Sequence, residues 1–500
     1  MTMKTNVRLL SGLLALMMIL TLCISCAETG SENETSSEIA STTPQNVEST
    51  AAVEETTLYE PDDLDEKYEL NEVITMYIWS DHRMREFYAE DSGDNIDSAI
   101  YNRNLRVEDR LGIIIEFVEE KGSLDFYKDW NKKAENDFLS DNLYDIYSGY
   151  SRAVPLLAIS GMTANLLEYE DFNLDKPWWP DALNTECTIK NKLFFCSGDI
   201  ATSLLWYMDA VFYNKEIYDT YYLGQPSPMD MVEANDWTFE KLFSLSKDIF
   251  VPSADGADVN ASYGISVYET DIDAFQIAAG ITSLEKTEDG GLRISEAWMS
   301  QRCADACEAV GNFLNTQGAF HGDDKETRSV FFNEQSMFHV DRVLIVAGQD
   351  NTDTGKINFE YGIVPMPKYE ASQENYKTNI GNSFSVYAVN ANSKKAEAAV
   401  ITLEAMGSEN YRSVTPAVFE VAMKQRYASD AQSAVMFDIL RSTVSFDIGR
   451  LFSAHFSNYT SKTFRVTALS TNPSGFLTVA TTRSKGINRS LETLMEAFED

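Results

Sequence analysis

Positive charge is scarce in this chain: 40 Lys and Arg stand against 78 Asp and Glu, a formal net charge of −38. Such a surface repels phosphate backbones and anionic lipid, so nucleic acid and membrane headgroups are excluded as partners. It does not by itself specify a cationic ligand, because acidic faces commonly serve only to keep a protein soluble. Cysteine is sparse, six in 500 residues, which excludes a disulfide-built scaffold. The four histidines, His82, His321, His339 and His455, are scattered without metal-ligand spacing, so no metal and no cofactor is expected. Gly-x-Ser-x-Gly, His-Glu-x-x-His and Walker-type motifs are missing. Asp289-Gly290-Gly291 reads as a turn rather than a nucleotide loop, and Cys303 and Cys307 as two small residues on one helix face. No repeat of a solenoid-like period is present.

Long apolar runs are also lacking, with one exception. Lys4 and Arg8 precede an apolar stretch from Leu9 to Leu22, broken only by Ser11, Gly12 and Thr21. It falls short of the ~20 residues a membrane span needs and has the layout of a signal peptide over residues 1–25. The stretch ends in Leu22-Cys23-Ile24-Ser25-Cys26, a small residue directly before a Cys. That arrangement resembles a bacterial lipobox and marks Cys26 for lipidation. The fit is imperfect, with Cys23 where Leu is usual, and plain cleavage after Ser25 or Ala27 is the alternative. Residues 26–70 are rich in Ser, Thr, Glu and Asp and too poor in apolar groups to offset ordering entropy. They read as a disordered tether.

The remaining 430 or so residues exceed a single core and suggest two or three domains. Strand and helix alternate from Val73: strand Val73 to Trp79, helix Asn95 to Leu111 stopped by Gly112, strand Ile113 to Val118, helix Phe126 to Leu139, strand Tyr144 to Tyr150. This is the pattern of an α/β, doubly wound, mostly parallel sheet. Further on, strands are expected at Met208–Tyr213, Tyr263–Val267, Ser336–Val340, Phe359–Pro365 and Phe384–Asn390. Helices are expected from Lys215, from Trp237 to Phe250 with Thr238 as N-cap, at Asp273–Ala279, from Ser295 (as cap) to Asn315, at Arg328–Asn333 and Lys394–Met406, and through most of the C-terminal part. Thr188 to Phe195 reads as a hairpin turning at Asn191-Lys192. In that register Cys187 faces Cys196 in a non-hydrogen-bonded pair, with Cα atoms about 4.5 Å apart, close enough for a disulfide; two free thiols are the alternative.

At this point the chain resembles the extracellular solute-binding proteins of family 1, the class of maltodextrin- and oligosaccharide-binding proteins of ABC importers. The pieces are Ile74–Trp79 as first strand, Asp145-Ile146-Tyr147 as third, and Met208 to Glu216 (MDAVFYNKE) as a strand crossing between lobes. Trp237-Thr238-Phe239-Glu240, Phe359 to Lys368 and Lys394 to Met406 follow in order. The resemblance implies a two-lobed, periplasmic-binding-protein-like fold with the ligand between the lobes. It places lobe one at residues 71–200 plus 378–410 and lobe two at 201–377 plus 411–500. It implies a monomer whose partners are a small ligand, a sugar above all, and ABC permease subunits, with the membrane met through the lipid alone.

A sugar offers C–H faces and hydroxyl edges, so a site wants flat aromatics beside Asp, Asn, Arg or Ser. Open α/β sheets put ligands at the carboxyl ends of strands. Candidates there are Trp79 and Asp81 after the first strand, and Tyr150 and Ser151 after the third. Trp206, Tyr207 and Asp209 stand at the crossing strand. Trp178 and Trp179 lie between prolines, and Asn382 and Ser383 precede a strand returning to lobe one. For Trp79, Trp206 and the Trp178-Trp179 pair, burial in packing is the competing reading. A surface glycosidase is the rival function, needing two carboxylates ~5–10 Å apart; a β-sandwich adhesin conflicts with the βαβ order.

Overall fold

A computed structural model describes residues 59–256, 258–347, 357–428 and 430–499. The signal segment, Cys26 and the tether up to residue 58 lie outside the described residues. Among the described residues no helix is long and apolar enough to cross a membrane. They belong to one compact unit, Thr57–Asp500.

The first lobe is built as its sequence periodicity dictates. Strand β1 (Glu72–Trp79) is apolar almost throughout because both faces of a central parallel strand are covered. Helix Asn95–Leu111 is capped by Asp94, buries Ile96, Ile100, Val107 and Leu111, and ends at Gly112. Gly112 sits at φ +64°, a left-handed stop that a side chain resists. Strands β2 (Ile113–Glu120) and β3 (Ile146–Tyr150) then pair with β1 on either side, both parallel.

The chain crosses over at Tyr207-Met208 into β4 (Asp209–Asn214). Strands β5 (Phe250–Val251) and β6 (Ser262–Tyr268) follow, then a hairpin of β7 (Leu284–Lys286) and β8 (Leu292–Ile294). The hairpin turns at the Asp289-Gly290-Gly291 stretch. Strands β9 (Ala319–Gly322), β10 (Ser336–Arg342) and β11 (Tyr361–Pro365) complete the second lobe's sheet, in the order β11-β4-β10-β6-β5 with β9 also on β6. The chain then passes through β12 (Thr378–Asn379) and adds β13 (Ser385–Val389) antiparallel to β3, closing the first sheet as β13-β3-β1-β2. A last strand, β14 (Val444–Ser445), pairs with β12. Helices fill both lobes.

Three expectations need correction. The second sheet is mixed rather than mostly parallel. The crossing strand β4 enters it opposite to β10 and β11, whereas β6 runs parallel with β10 and β9. The helix expected from Ser295 starts at Gln301, because Ser300 is the residue whose Oγ accepts the N–H of Cys303. Ser295 makes a local turn instead, taking the N–H of Trp298. The turn after Thr188 sits on Lys190-Asn191, both at positive φ (50° and 61°), and joins Ile189 to Lys192. This moves the register by one. Cys187 closes the helix Asp181–Cys187, Cys196 pairs with Tyr387 of β13, and both are free, buried thiols.

The described chain begins with a segment clamped to the first lobe. Asp62 accepts from Arg110 (2.7 and 2.9 Å), from Ser408 (2.6 Å) and from Arg412. Burial works against its charge, yet these bonds hold the carboxyl well below its usual range. Lys176 donates to the Pro61 carbonyl (3.0 Å) and pairs with Asp63 (2.8 Å), and Tyr59 sets its ring edge-on to Tyr411, centroids 5.5 Å apart.

Candidate functional site

Strand direction decides where the two sheets meet. β1 and β3 run in parallel, so Trp79 and Tyr150 leave the first sheet at one edge, where β13 begins opposite Tyr150. β4 runs against β10, so Asp209, at the start of β4, lies opposite Arg342, at the end of β10, and β6 brings Tyr268 to the same edge. These two edges face each other across the crossing segments.

Aromatic rings line the junction in a chain of contacts. The ring of Trp79 lies 5.6 Å from Tyr150 and 4.5 Å from His82, and His82 meets Tyr207 edge-on at 5.3 Å. The Arg342 guanidinium covers Tyr207 at 5.8 Å and Tyr268 at 5.2 Å. Burial holds the His82 imidazole below its usual pKa, and its Nε2–H donates to the Ser383 carbonyl at 3.0 Å.

Charged groups sit among these rings. Arg342 donates to Asp271 Oδ1 (3.1 Å), and Asn379 donates to Asp209 Oδ2 (2.5 Å). Arg450 donates to Asp273 Oδ2 and to Asn382 Oδ1, both at 2.9 Å. Arg152 reaches across from the first lobe to Asn458, which begins a helix packed on the second. Burial, and then the neighbouring Asp271 charge, push the Asp209 carboxyl far up; burial lifts Asp271 to about 6 against the pull of Arg342. Among the described residues, Asp209 Oδ1, Asp271 Oδ2, Asp273 Oδ1 and the Nε atoms of Arg152, Arg342 and Arg450 are buried without a hydrogen-bond partner. Buried polar atoms are normally paired, so a cluster of such atoms at one junction is chemically directed at a hydrogen-bonding guest. Rings supply flat apolar faces; carboxylates and guanidinium groups supply acceptors and donors for hydroxyls.

Of the residues expected here, Trp79, Tyr150, Ser151, Tyr207, Asp209, Asn382 and Ser383 do converge. Several are engaged within the protein: Trp79 is buried and its Nε1–H donates to Ser385 Oγ (2.8 Å), while Ser151 Oγ donates to the Asn382 carbonyl (2.5 Å). Asp81 turns away, accepting the N–H groups of Gly122 (3.0 Å) and Ser123 (3.2 Å) in the loop after β2. Trp206 is buried, its ring edge-on to Tyr427 at 6.3 Å. Trp178 and Trp179 are no exposed platform: both are fully buried and donate their indole N–H groups to the two oxygens of Glu404, at 3.1 and 2.8 Å. Pro180 beside them stands at the N-cap of the helix Asp181–Cys187.

Sequence reasoning missed Arg342, Asp271, Asp273, Arg450 and Tyr268. Arg342 had a signal, since Asp341-Arg342 is a charged pair ending an apolar strand. Asp341 takes up Arg328 through both oxygens (2.6 and 3.0 Å), leaving Arg342 to the junction.

No protein-family model and no curated protein matches the chain. Solved structures do. The cyclic α-maltosyl-1,6-maltose binding protein of Arthrobacter globiformis aligns with TM-score 0.53 at 15% identity, over 85% of this chain and 98% of that one. UgpB of Mycobacterium tuberculosis, in complex with glycerophosphocholine, aligns with TM-score 0.53 at 14% identity, over 83% and 98%. The galacto-N-biose/lacto-N-biose I-binding protein of the ABC transporter of Bifidobacterium longum aligns with TM-score 0.53 at 13% identity, over 84% and 97%. The chain has the two-lobed fold of the periplasmic binding proteins. At these identities the likeness is one of fold, and it spans nearly the whole length of each relative.

Proposed function

We propose that this chain is an extracytoplasmic solute-binding protein, anchored by lipid at Cys26, that takes a small polyhydroxylated ligand between its lobes and delivers it to an ABC importer. The observation that carries this reading is the junction itself, where aromatic faces and unpartnered, buried carboxylate and guanidinium atoms from both lobes meet at the strand ends. The fold is compatible: two of the aligned proteins are named for the sugars they bind, and a third was solved with glycerophosphocholine. On this reading lobe one comprises residues 71–200 and 378–410, and lobe two 201–377 and 411–500. The site binds and releases without covalent chemistry, the lobes opening about the crossing segments.

A thermal-shift screen of residues 27–500 tests it, with mono- and oligosaccharides, glycerophosphodiesters, peptides and polyamines. A true ligand raises stability by about 2.7 kcal/mol at a hundredfold excess over its Kd. Hydrolysis of a glycoside in place of a stability increase would overturn the reading in favour of an enzyme.

A further inference from the structure

The two crossing segments have a second face. Tyr207 and Asp209 turn to the junction, so the residue between them turns away. Likewise Asn379 reaches Asp209 and Gly381 lies against Arg342, where a Cβ would come within 3.1 Å of Arg342 Cδ, so Ile380 turns away. Met208 and Ile380 form an antiparallel bridge, and Gly381 N–H donates to the Tyr207 carbonyl at 2.8 Å. Both turned-away side chains line a cavity of about 310 Å³. Its other walls include Pro177 and Pro180 from the first lobe's side and Val444 and Phe446 from the side of β14. About 150 Å³ suffices to admit benzene, so this space accommodates a one- or two-ring molecule.

The lining is largely apolar, with the hydroxyl residues Thr415 and Ser442 and one charged group of residues. Asp199 Oδ1 meets Arg441 at 3.4 Å, and Asp181 joins them in the lining. Arg441 is further occupied, lying over the Phe419 ring at 4.8 Å. Two carboxylates against one engaged guanidinium favour a positive guest. Burial lifts the Asp199 carboxyl to about 6, a cost that a cation beside it would relieve.

We infer that this cavity is a second binding site, for a small cyclic apolar molecule bearing one protonated amine, and that its occupation holds the lobes closed. The cavity lies behind the hinge strands, with walls from both sides of them. Lobes that part at the junction must approach each other behind it, so a guest there resists opening. The coupling to the junction rests on the proposed function; binding in the cavity does not.

The probes are tryptamine, with 3-ethylindole as neutral and indole-3-propionate as anionic counterparts, titrated into residues 27–500 by calorimetry and protein-observed NMR. Tryptamine is expected to bind at least tenfold tighter than either counterpart. Asp199→Asn should remove that preference, and Ala201→Leu, which extends a side chain into the cavity, should weaken all three; thermal melts of both variants check that they fold. Small-angle scattering should show the open population shrinking when tryptamine is added, with no junction ligand needed. Absence of binding, or tryptamine binding indifferent to both variants, overturns the site. Binding that leaves the scattering unchanged overturns the coupling alone.

Discussion

Arg342 donates to Asp271 at 3.1 Å while its guanidinium plane stands between the rings of Tyr207 and Tyr268. One side chain from the end of β10 thus joins the crossing segment to the loop after β6, and its Nε remains without a partner. Arg342→Lys keeps the charge but loses the planar fork and the stacking surface. Ligand affinity in the junction should fall at least tenfold, about 1.4 kcal/mol, in calorimetric titrations. An unchanged Kd would remove Arg342 from the ligand site.

Trp206 and Tyr207 are neighbours with opposite expected behaviour. Trp206 is buried against Tyr427, so Trp206→Ala should cost about 3–5 kcal/mol of stability while leaving the affinity of the folded fraction near wild type. Tyr207 is half-buried among His82 and Arg342, so Tyr207→Ala should lower affinity by more than 1 kcal/mol with a smaller loss of stability. Measuring Tm and Kd on both variants separates packing from binding. The reverse pattern would place the ligand on the Trp206 side.

Glu404 sets a pH dependence. Burial raises its carboxyl from the ordinary 4.5 to about 7, although Trp179, the Asn173 backbone and Trp178 all donate to it. A carboxyl whose pKa is raised on folding favours the folded state while protonated in both states. Its contribution is complete below pH 4.5 and is lost as pH rises through 7. The span is worth roughly 3 kcal/mol. Glu404→Gln keeps an acceptor for one indole and should flatten this part of the stability profile in urea melts between pH 5 and 8. A profile as steep as wild type would refute the assignment.

Cys187 and Cys196 should remain reduced in protein purified in air. Both thiols are buried, and burial raises their pKa, so little thiolate is available to react. Mass spectrometry after alkylation should find them unlabelled in the native protein and fully labelled once it is denatured. A mass two units lower, with neither labelled on denaturation, would show a bridge.

Cys26→Ser tests the anchor. If Cys26 carries the lipid, the variant should appear in the medium or periplasm rather than in the membrane fraction. A variant retained in membranes after signal cleavage would contradict lipidation.

The first lobe was legible because its signals are local. The helix Asn95–Leu111 announces itself by period and by a glycine stop that lies at φ +64°. The misreadings came where two residues compete for one role. Ser295 and Ser300 both precede apolar spacing, and only the backbone bond to Cys303 distinguishes the true cap. The turn lies on Lys190-Asn191, and nothing about a lysine advertises a left-handed backbone. The site was half legible for a different reason. Strand ends pointed to Tyr150, Tyr207 and Asp209, but Arg450 finds Asp273 across 177 positions and Asn382 across 68. The inward turn of Trp178 and Trp179 likewise depends on Glu404, more than 220 positions away. Such pairings belong to the tertiary structure and leave no periodic trace.

The clamp of Tyr59 to Asp63 bears on mechanics as well as on packing. Asp62 and Asp63 are fastened to the first lobe through Arg110, Ser408 and Lys176, and Asp62 and Tyr59 also meet Arg412 and Tyr411, in the segment that packs on the helix Asn95–Leu111. A pull on the chain ahead of residue 59 is therefore delivered to that lobe, and the crossing segments do not carry the load. On the proposed anchoring at Cys26, the first lobe would be the stator and the second the rotor. The work of closing would then be done by the second lobe against solvent.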